Sequence, residues 1–281
     1  MTNRELAYIV RDQKPLVLPA DATVREACLC MSERRSGSTL VGDDRRRLMG
    51  IFTGRDAVRL LGKGKNMGGV RLAQAMTRKP VTVTPKCRAI DALRAMAEGG
   101  FRHVPVTEDG VIKGIVSRGD FKGMELEEFR WQQDGRSRGP AGGFRGLADI
   151  VKGSKPLVAA EDETVQHACQ GMWRRKRGCT LVVDGHRRLS GVFTGRDAIR
   201  VLATAEDAAG VHLKQAMTAK PLTLTPENSA IDALRMMSDG GFRHLPVIDA
   251  EKILGVVSRN DFTGIEIDRL DEEEHLQEVL W

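Results

Sequence analysis

Short apolar runs alternate with longer amphipathic stretches along the whole chain. In one representative stretch, KPLVA from Lys155 is short and apolar enough for a strand, and a helix is expected from about Thr164. The runs CTLVVD from Cys179 and LSGVFT from Leu189 predict a second and a third strand, separated by a turn. A second helix is expected to begin at the Thr-x-x-Asp sequence that starts at Thr194. The pattern therefore predicts a β-α-β-β-α unit of an α/β (α+β) fold.

The same order of signals recurs because the sequence is duplicated. TGRD from Thr53 recurs from Thr194, and GGFRH from Gly99 recurs from Gly240, both at an offset of 141 residues. Self-similarity at a fixed offset is typical of repeated structural units. The chain is therefore interpreted as two tandem halves of similar structure.

A fainter repeat lies inside each half. Thr-x-x-Asp from Thr53 maps onto Ser-x-x-Asp from Ser117 at an offset of 64, and the strand-like KPLVL from Lys14 recurs as KPVTV from Lys79. Four units are thus predicted, at about residues 6–64, 72–124, 147–205 and 213–265, here called units 1 to 4. Units 1 and 2 form a first module, 1–130, and units 3 and 4 form a second, 147–267.

Two further segments lie outside the predicted units. Residues 131–146 are rich in Gly and Arg and have no apolar period, so they are predicted to be a linker. Residues 268–281 are acidic, with leucines at roughly helical spacing, and predict an amphipathic helix that docks on the body of the protein or on a partner.

Charge and cysteine content narrow the class of protein. The 281 residues carry a formal net charge of +6, which favours anionic partners such as nucleotides, nucleic acid or an anionic membrane. Five cysteines without a Cys-x-x-Cys pair or a histidine at ligand spacing indicate a reduced, metal-free protein. Without a leader-like or membrane-spanning apolar run, a soluble cytoplasmic protein is expected, with no membrane partner.

The Thr/Ser-x-x-Asp motif at the end of each unit has two interpretations. Its spacing is that of a capping box, in which the hydroxyl and the acid satisfy free N–H groups at the start of a helix. The same N-terminus also favours a phosphate, and the hydroxyl and the acid could hold a phosphate and a ribose. Both roles can coexist in one motif.

The motifs together resemble cystathionine β-synthase (CBS) domains. The resemblance rests on Gly-apolar-x-Thr/Ser-x-x-Asp, on RHVPV and RHLPV from Arg102 and Arg243, and on the AMT-x-KP sequences from Ala75 and Ala216. It covers all four units, from about residue 6 to residue 265. CBS domains work in pairs called Bateman modules, so the resemblance implies two modules packed as a disk. The layout is similar to the nucleotide-sensing regulatory subunit of AMP-activated protein kinase.

The resemblance also implies which residues bind a nucleotide. In this family the hydroxyl of the motif faces the phosphate and the acid holds the ribose, which carries over to Thr53, Asp56, Ser117, Asp120, Thr194, Asp197, Ser258 and Asp261. Basic residues before the second strand point into the cleft and meet phosphates, which carries over to Arg102, His103, Arg243 and His244. A surface arginine and a histidine packed beside its strand are the alternative for each pair.

Arginines inside the motif, Arg55, Arg118, Arg196 and Arg259, are expected to be solvated on the first helical turn. Arg118 and Arg259 are also retained as candidates for reaching a phosphate.

The four units are not equivalent in this respect. Units 1 and 3 carry Ser38-Thr39 and Cys179-Thr180 where units 2 and 4 carry Arg-His. We therefore expect at most one good site in each module. Asp120 and Asp261 are the strongest ribose candidates.

The function expected from this resemblance is a non-catalytic, energy-sensing regulator that binds AMP, ADP or ATP between paired CBS domains. Neither a metal nor a catalytic residue is expected, and S-adenosylmethionine or a dinucleotide stays open as the ligand. A regulated protein partner and a homodimer also stay open.

Two alternatives are kept. The net charge and the arginine runs near residues 45–47 and 174–177 favour nucleic acid, but no helix-turn-helix, zinc finger or aromatic stacking surface is visible. A protein-interaction module without a ligand is the other alternative.

Overall fold

A computed structural model describes residues 3–64, 69–134, 145–208, 210–264 and 266–267. Its helices and strands follow the duplicated sequence. Unit 1 contains α1 (Leu6–Val10), β1 (Val17–Leu18), α2 (Val24–Glu33), β2 (Ser38–Gly42), β3 (Leu48–Thr53) and α3 (Gly54–Gly62). Unit 2 contains α4 (Leu72–Ala75), β4 (Thr77–Arg78), α5 (Ala89–Gly99), β5 (His103–Glu108), β6 (Val111–Ser117), a 3-10 turn (Arg118–Asp120) and α6 (Gly123–Asp134).

The second module repeats this order. Unit 3 contains α7 (Leu147–Val151), β7 (Val158–Ala160), α8 (Val165–Arg174), β8 (Cys179–Val183), β9 (Leu189–Thr194) and α9 (Gly195–Thr204). Unit 4 contains α10 (Leu213–Ala216), β10 (Thr218–Ala219), α11 (Ala230–Gly240), β11 (His244–Asp249), β12 (Lys252–Ser258) and a 3-10 turn (Arg259–Asp261). The predicted α/β (α+β) fold and the β-α-β-β-α order of unit 3 are confirmed.

The sheets show one feature that the apolar pattern does not predict. In the first module the strand order is β1-β2-β3-β4, so β4, which follows the first helix of unit 2, pairs antiparallel with β3 of unit 1. The second module repeats this with β10 on β9. The strand-like run after Lys79 forms a single bridge, Val83 with Val106. The second unit of each module therefore lends a strand to the first unit of that module.

The second helix of each unit begins in two different ways. In units 1 and 3 a continuous α-helix, α3 or α9, starts at the Thr-x-x-Asp motif as predicted. In units 2 and 4 the motif forms only a 3-10 turn, and the chain then becomes extended at Phe121 and Phe262. Because both phenylalanines are buried, their packing fixes this break, and the prediction of a helix starting at the motif is wrong for these two units.

The four units form a closed ring. Helices α2 and α3 pack on α8 and α9, so one apolar core joins units 1 and 3. A second core joins units 2 and 4 through α5, α6 and α11. Within each module the sheets meet through smaller apolar clusters, one containing Leu40 and Ile112 and the other Leu181 and Ile253. Each unit therefore contacts two neighbours, which is the arrangement of the expected disk.

Some predicted features lie partly outside the described residues. Helix α6 continues to Asp134, into the segment predicted as the linker, whereas residues 135–144 and the predicted acidic helix 268–281 are outside the described part.

All five cysteines are free thiols. Within the described ranges, no helix combines the length and apolar character that crossing a bilayer requires.

Candidate functional site

The four Thr/Ser-x-x-Asp motifs share one local geometry. In each, the Oδ2 oxygen of the aspartate accepts hydrogen bonds from the backbone N–H and from the hydroxyl of the Thr or Ser, at 2.6–3.0 Å. All four motifs are thus capping boxes. Capping alone accounts for one oxygen of each aspartate, and the other oxygen distinguishes the units.

In units 1 and 3 the second oxygen is also engaged. Oδ1 of Asp56 lies 3.0 Å from a guanidinium nitrogen of Arg59 and accepts from the Thr77 hydroxyl at 3.3 Å. Asp197 repeats the pattern with Arg200 at 2.9 Å and Thr218 at 3.5 Å. Both carboxylates are buried, with 6% and 4% of their surface exposed. These aspartates connect the start of a helix to the strand lent by the next unit.

The pKa of Asp197 in unit 3 is affected by its burial. The loss of water around Asp197 raises its pKa above the usual value, and this outweighs the opposing hydrogen bonds from Thr194 and the charge of Arg200. A carboxylate in such a setting is a structural group whose hydrogen-bonding capacity is already used.

In units 2 and 4 the second oxygen is available. Asp120 and Asp261 are exposed, and within the described residues no further donor contacts their Oδ1 atoms. A free carboxylate oxygen next to a hydroxyl can accept hydrogen bonds from a ligand hydroxyl. The geometry therefore favours the two aspartates that were the strongest ribose candidates in the sequence.

The arginines of the two Arg-His pairs reach from one module to the other, whereas each histidine lies beside a glycine of its own module. A methyl group placed on Gly178 of unit 3 would lie 2.9 Å from Nε2 of His244 and 3.2 Å from a guanidinium nitrogen of Arg102. A methyl group placed on Gly37 of unit 1 would similarly lie 3.4 Å from a guanidinium nitrogen of Arg243. A side chain at residue 178 would therefore displace the ends of the His244 and Arg102 side chains.

We call this region the central recess: Arg102, His103, Arg243, His244, Gly37 and Gly178. Both of its arginines keep more than a third of their surface accessible, although protein surrounds them on most sides. Within the described residues, no carboxylate lies within 4.0 Å of either guanidinium. The recess is therefore open to solvent and positively charged.

The surroundings keep the two histidines neutral. Desolvation is the main cause that lowers the pKa of His103 and of His244 to about 4, and the positive charges of Arg243 and Arg102 contribute to the same shift. The pKa of each arginine is also lowered, first by desolvation and then by neighbouring arginines. An anion in the recess would relieve this repulsion.

Two helix N-termini and two more arginines border the same region. A methyl group on Gly54 would lie 3.2 Å from the carbonyl oxygen of Gly195, so the N-termini of α3 and α9 face each other. Helix N-termini carry a partial positive charge and favour anions. Arg55 and Arg196 are exposed as expected, but each also donates a hydrogen bond to a backbone carbonyl, at 2.8 and 3.0 Å, at the end of α5 or α11.

The remaining motif arginines, Arg118 and Arg259, are half-buried and begin the 3-10 turns of units 2 and 4.

A cavity of about 150 Å³ lies in the cleft of the first module. It is lined by the residues before β1, by the loop before β2, by β2 and by β6: Lys14, Pro15, Leu16, Arg34, Ser36, Ser38, Leu40 and Ile115. Sequence reasoning had noted Ser38 but missed Lys14 and Arg34, although the Lys-Pro pair recurs in all four units. Within the described residues, no group of three or more His, Cys, Asp or Glu side chains could hold a metal ion.

Comparison with known proteins agrees with the geometry of the units. The model of the CBS domain family matches residues 9–63, 72–124, 147–204 and 213–266. The CBS domain-containing protein CBSCBSPB3 of Arabidopsis thaliana is 28% identical over 271 residues, which cover 86% of this chain and 49% of that protein. An uncharacterised 33.4 kDa protein of the ribosomal RNA operon of Thermofilum pendens is 31% identical over 189 residues, 65% of this chain and 61% of that protein.

Among solved structures, the crystal structure of protein MJ1225 from Methanocaldococcus jannaschii has the same fold. Its TM-score is 0.73 at 17% identity, and the match covers 92% of this chain and 98% of that one. The chain spans about half the length of the Arabidopsis relatives that it matches.

Proposed function

The chain belongs to the CBS domain family, and we propose that it is a non-catalytic regulatory protein that binds adenine nucleotides in the clefts of its two modules. The observation that carries this proposal is the crossing of arginines between modules. Each cleft combines an exposed motif aspartate of its own module with an arginine from the other module. Such a pairing of a ribose acceptor with a phosphate donor suits a nucleoside phosphate.

In the first module the candidate groups converge from both halves of the chain. Asp120 offers a free carboxylate oxygen, and its charge acts on Arg243, which lies beside Gly37 at the start of β2. Ser38 follows Gly37 and lines the 150 Å³ cavity together with Lys14. We assign the ribose to Asp120, the phosphates to Arg243 and Ser117, and the base to the cavity.

In the second module the equivalent groups are Asp261, Ser258 and Arg102, and the charge of Asp261 acts on Arg102. Cys179, which is buried, stands where the first module has Ser38. A thiol is a weaker hydrogen-bonding group than a hydroxyl. We therefore expect the first module to bind more tightly than the second.

Regulation follows from the shared sites. A ligand that contacts Asp120 in one module and Arg243 in the other binds best when the two modules hold one relative arrangement. Such a ligand shifts the population toward that arrangement, and this is the coupling that a sensor needs. The protein that responds is a partner, or a further part of a longer chain.

Titration calorimetry with AMP, ADP, ATP and S-adenosylmethionine tests the proposal. We expect AMP, ADP or ATP to bind, and the Asp120→Ala variant to lose about tenfold to 100-fold in affinity at the first-module site, because hydrogen bonds to a charged group are lost. Arg243→Gln should weaken the same site, although Arg243 belongs to the other module.

A matched control separates the ribose role from the capping role. Asp232 forms the same capping box with Ser229, at 2.8 Å from both the backbone nitrogen and the hydroxyl, but lies at the start of α11. Asp232→Ala should lose a cap worth about 1 kcal/mol and keep the nucleotide affinity. Absence of nucleotide binding at millimolar concentration would overturn the proposal. Binding of S-adenosylmethionine alone would overturn the nucleotide assignment.

A further inference from the structure

An ion pair beside the turn of each exposed motif aspartate joins the beginning of a module to its end. The guanidinium of Arg4, which precedes α1, donates to both carboxylate oxygens of Glu125 in α6, at 3.0 and 2.9 Å. The second module repeats the pair with Arg145 and Glu266, at 3.1 and 2.9 Å. Each member of the pair recurs at the offset of 141 residues. The nucleotide sites assigned above do not include these four residues.

The carboxylates of the two pairs are buried and ionised. The side chains of Glu125 and Glu266 are only 2% and 4% exposed. Although burial opposes ionisation, hydrogen bonds from Arg4 and from the N–H of Lys122 lower the pKa of Glu125 below its usual value. Glu125 is therefore a fixed anion that holds the Arg4 guanidinium in one place.

The backbone of Arg4 is also held on two sides. Its carbonyl oxygen accepts a hydrogen bond from the N–H of Ala89 at the start of α5, at 2.8 Å, and its own N–H donates to Glu125 at 3.1 Å. In the second module the carbonyl of Arg145 accepts in the same way from Ala230, at 3.1 Å. Backbone and side-chain contacts together leave the guanidinium little freedom to move.

A further hydrogen bond of each guanidinium reaches the motif itself. A terminal nitrogen of Arg4 donates to the backbone carbonyl of Asp120 at 3.1 Å, and Arg145 donates to the carbonyl of Asp261 at 2.9 Å. These carbonyls need a partner from elsewhere, because each 3-10 turn ends at its aspartate and the chain then becomes extended. Since the capping box binds Oδ2, Asp120 is held at its carbonyl and at one carboxylate oxygen.

Units 1 and 3 hold their aspartates in another way. Leu61 and Leu202, both in the helical core, stand where units 2 and 4 have the buried glutamates. The carbonyl of Asp56 lies inside the continuous helix α3, whose own backbone supplies its partner, and Arg59 binds Oδ1. Among the described residues, the arginine contact to the carbonyl thus accompanies the two aspartates that have an oxygen available for a ligand.

We propose that Arg4 and Arg145 are positioning residues for the ribose. Each arginine holds the backbone of its turn, so that Asp120 or Asp261 presents Oδ1 to the ribose hydroxyls in one orientation, and neither arginine touches the nucleotide. An acceptor fixed in advance binds more tightly because less conformational freedom is lost on binding. The role of these two arginines rests on the nucleotide function proposed above.

Titration calorimetry with the full chain tests this role. The probes are the nucleotide among AMP, ADP and ATP that the parent protein binds most tightly, and its 2′,3′-dideoxy form, which lacks the hydroxyls that Asp120 would accept from. We expect the parent protein to prefer the ribonucleotide about tenfold at the first-module site. Arg4→Met should weaken ribonucleotide binding about tenfold and leave the affinity for the dideoxy form unchanged. A general disturbance of the fold would weaken both nucleotides alike.

A double-variant cycle separates positioning from a general structural role. Added to Asp120→Ala, Arg4→Met should cause no further loss of affinity, because the acceptor that it positions is already absent. Arg145→Met should act on the second-module site and leave the first unchanged. Arg94→Met is the matched control, since it removes an exposed ion pair with Asp91 on α5 of the same unit, and it should leave both sites unchanged.

Removing Arg4 alone leaves Glu125 buried without its partner, so circular dichroism and a melting curve report whether the variant folds. Arg4→Met combined with Glu125→Met removes both charges and should show the same loss of ribonucleotide affinity. Equal weakening of the two nucleotides, or unchanged ribonucleotide affinity, in a folded variant would overturn the positioning role and leave the nucleotide function standing. A parent protein that binds both forms equally would overturn the ribose assignment and with it this role. Absence of any nucleotide binding by the parent protein would overturn both proposals.

Discussion

Units 1 and 3 use the Thr/Ser-x-x-Asp motif differently from units 2 and 4, although in all four the aspartate accepts hydrogen bonds from the backbone N–H and the hydroxyl of the Thr or Ser. Asp56 is buried and ion-paired with Arg59, whereas Asp120 is exposed and one of its oxygens has no donor within the described part of the chain. The difference comes from the residue three positions after the aspartate. This residue is Arg59 in unit 1 and Gly123 in unit 2, and an arginine one helical turn later can reach the carboxylate. A shared motif thus serves the fold in one place and remains open to a ligand in another.

The largest expected contrast is in stability. Asp56→Ala removes a cap and leaves Arg59 half-buried without its partner, so the free energy of unfolding should fall by about 3 kcal/mol. Asp120→Ala removes only an exposed cap and should cost about 1 kcal/mol. Urea denaturation of both variants measures the difference. Equal losses would show that the ion pair with Arg59 contributes nothing.

The next largest expected effect is the dependence of stability on pH, which should come from the histidines of the central recess and not from a histidine on the outer surface. Unfolded histidine titrates near pH 6.5, and His103 and His244 titrate near 4 in the folded protein, so the unfolded state binds protons first as the pH falls. Their contribution to stability is complete above about pH 6.5 and is lost as the pH falls through about 4. Between about pH 7 and 5 we expect a loss of about 2 kcal/mol for the pair, reduced by their partial exposure.

Denaturation at several pH values checks this expectation. The double variant His103→Gln and His244→Gln should flatten the dependence, and His186→Gln, on an exposed turn, should keep the slope of the parent protein. A double variant with the parent slope would contradict the assignment of the slope to the recess.

The smallest expected effect on stability comes from removing the Thr or Ser hydroxyl, which all four motifs have. Thr53→Ala and Ser117→Ala each remove one capping hydroxyl, and each should lower the free energy of unfolding by about 1 kcal/mol or less. Thermal or urea denaturation should give similar losses for the two. A much larger loss for Thr53→Ala would mean that its hydroxyl supports the ion pair of unit 1 as well as the cap.

Much of the fold could be predicted from local patterns in the sequence. Thr23 with Glu26 and Ser229 with Asp232 have capping-box spacing and do begin α2 and α11. The strands of unit 3 follow the apolar runs because each run has to cover part of a core. The placement of β4 on β3 was not predictable in this way, since pairing between units leaves no local periodic signal.

The candidate site was predictable in its residues but not in its assembly. Arg102 and Arg243 were identified, yet their position in the opposite module depends on how the ring closes. Gly37 and Gly178 were missed, although each occupies the same place in the repeat, because close approach becomes visible only in three dimensions. The sequence holds one further signal that favours Asp120 over Asp56 as the ribose acceptor: Gly123 stands at the position where unit 1 has Arg59.

The strand that each module passes from one unit to the preceding one has a consequence for inheritance and for engineering. Since β3 is completed by Thr77–Arg78 from the following unit, a gene fragment ending near residue 64 would encode a sheet lacking its fourth strand. Among pieces made of whole units, the smallest that carries a complete four-stranded sheet is the pair. The close repeat at 141 residues, against the faint one at 64, agrees with a recent copying event that acted on the pair as one block.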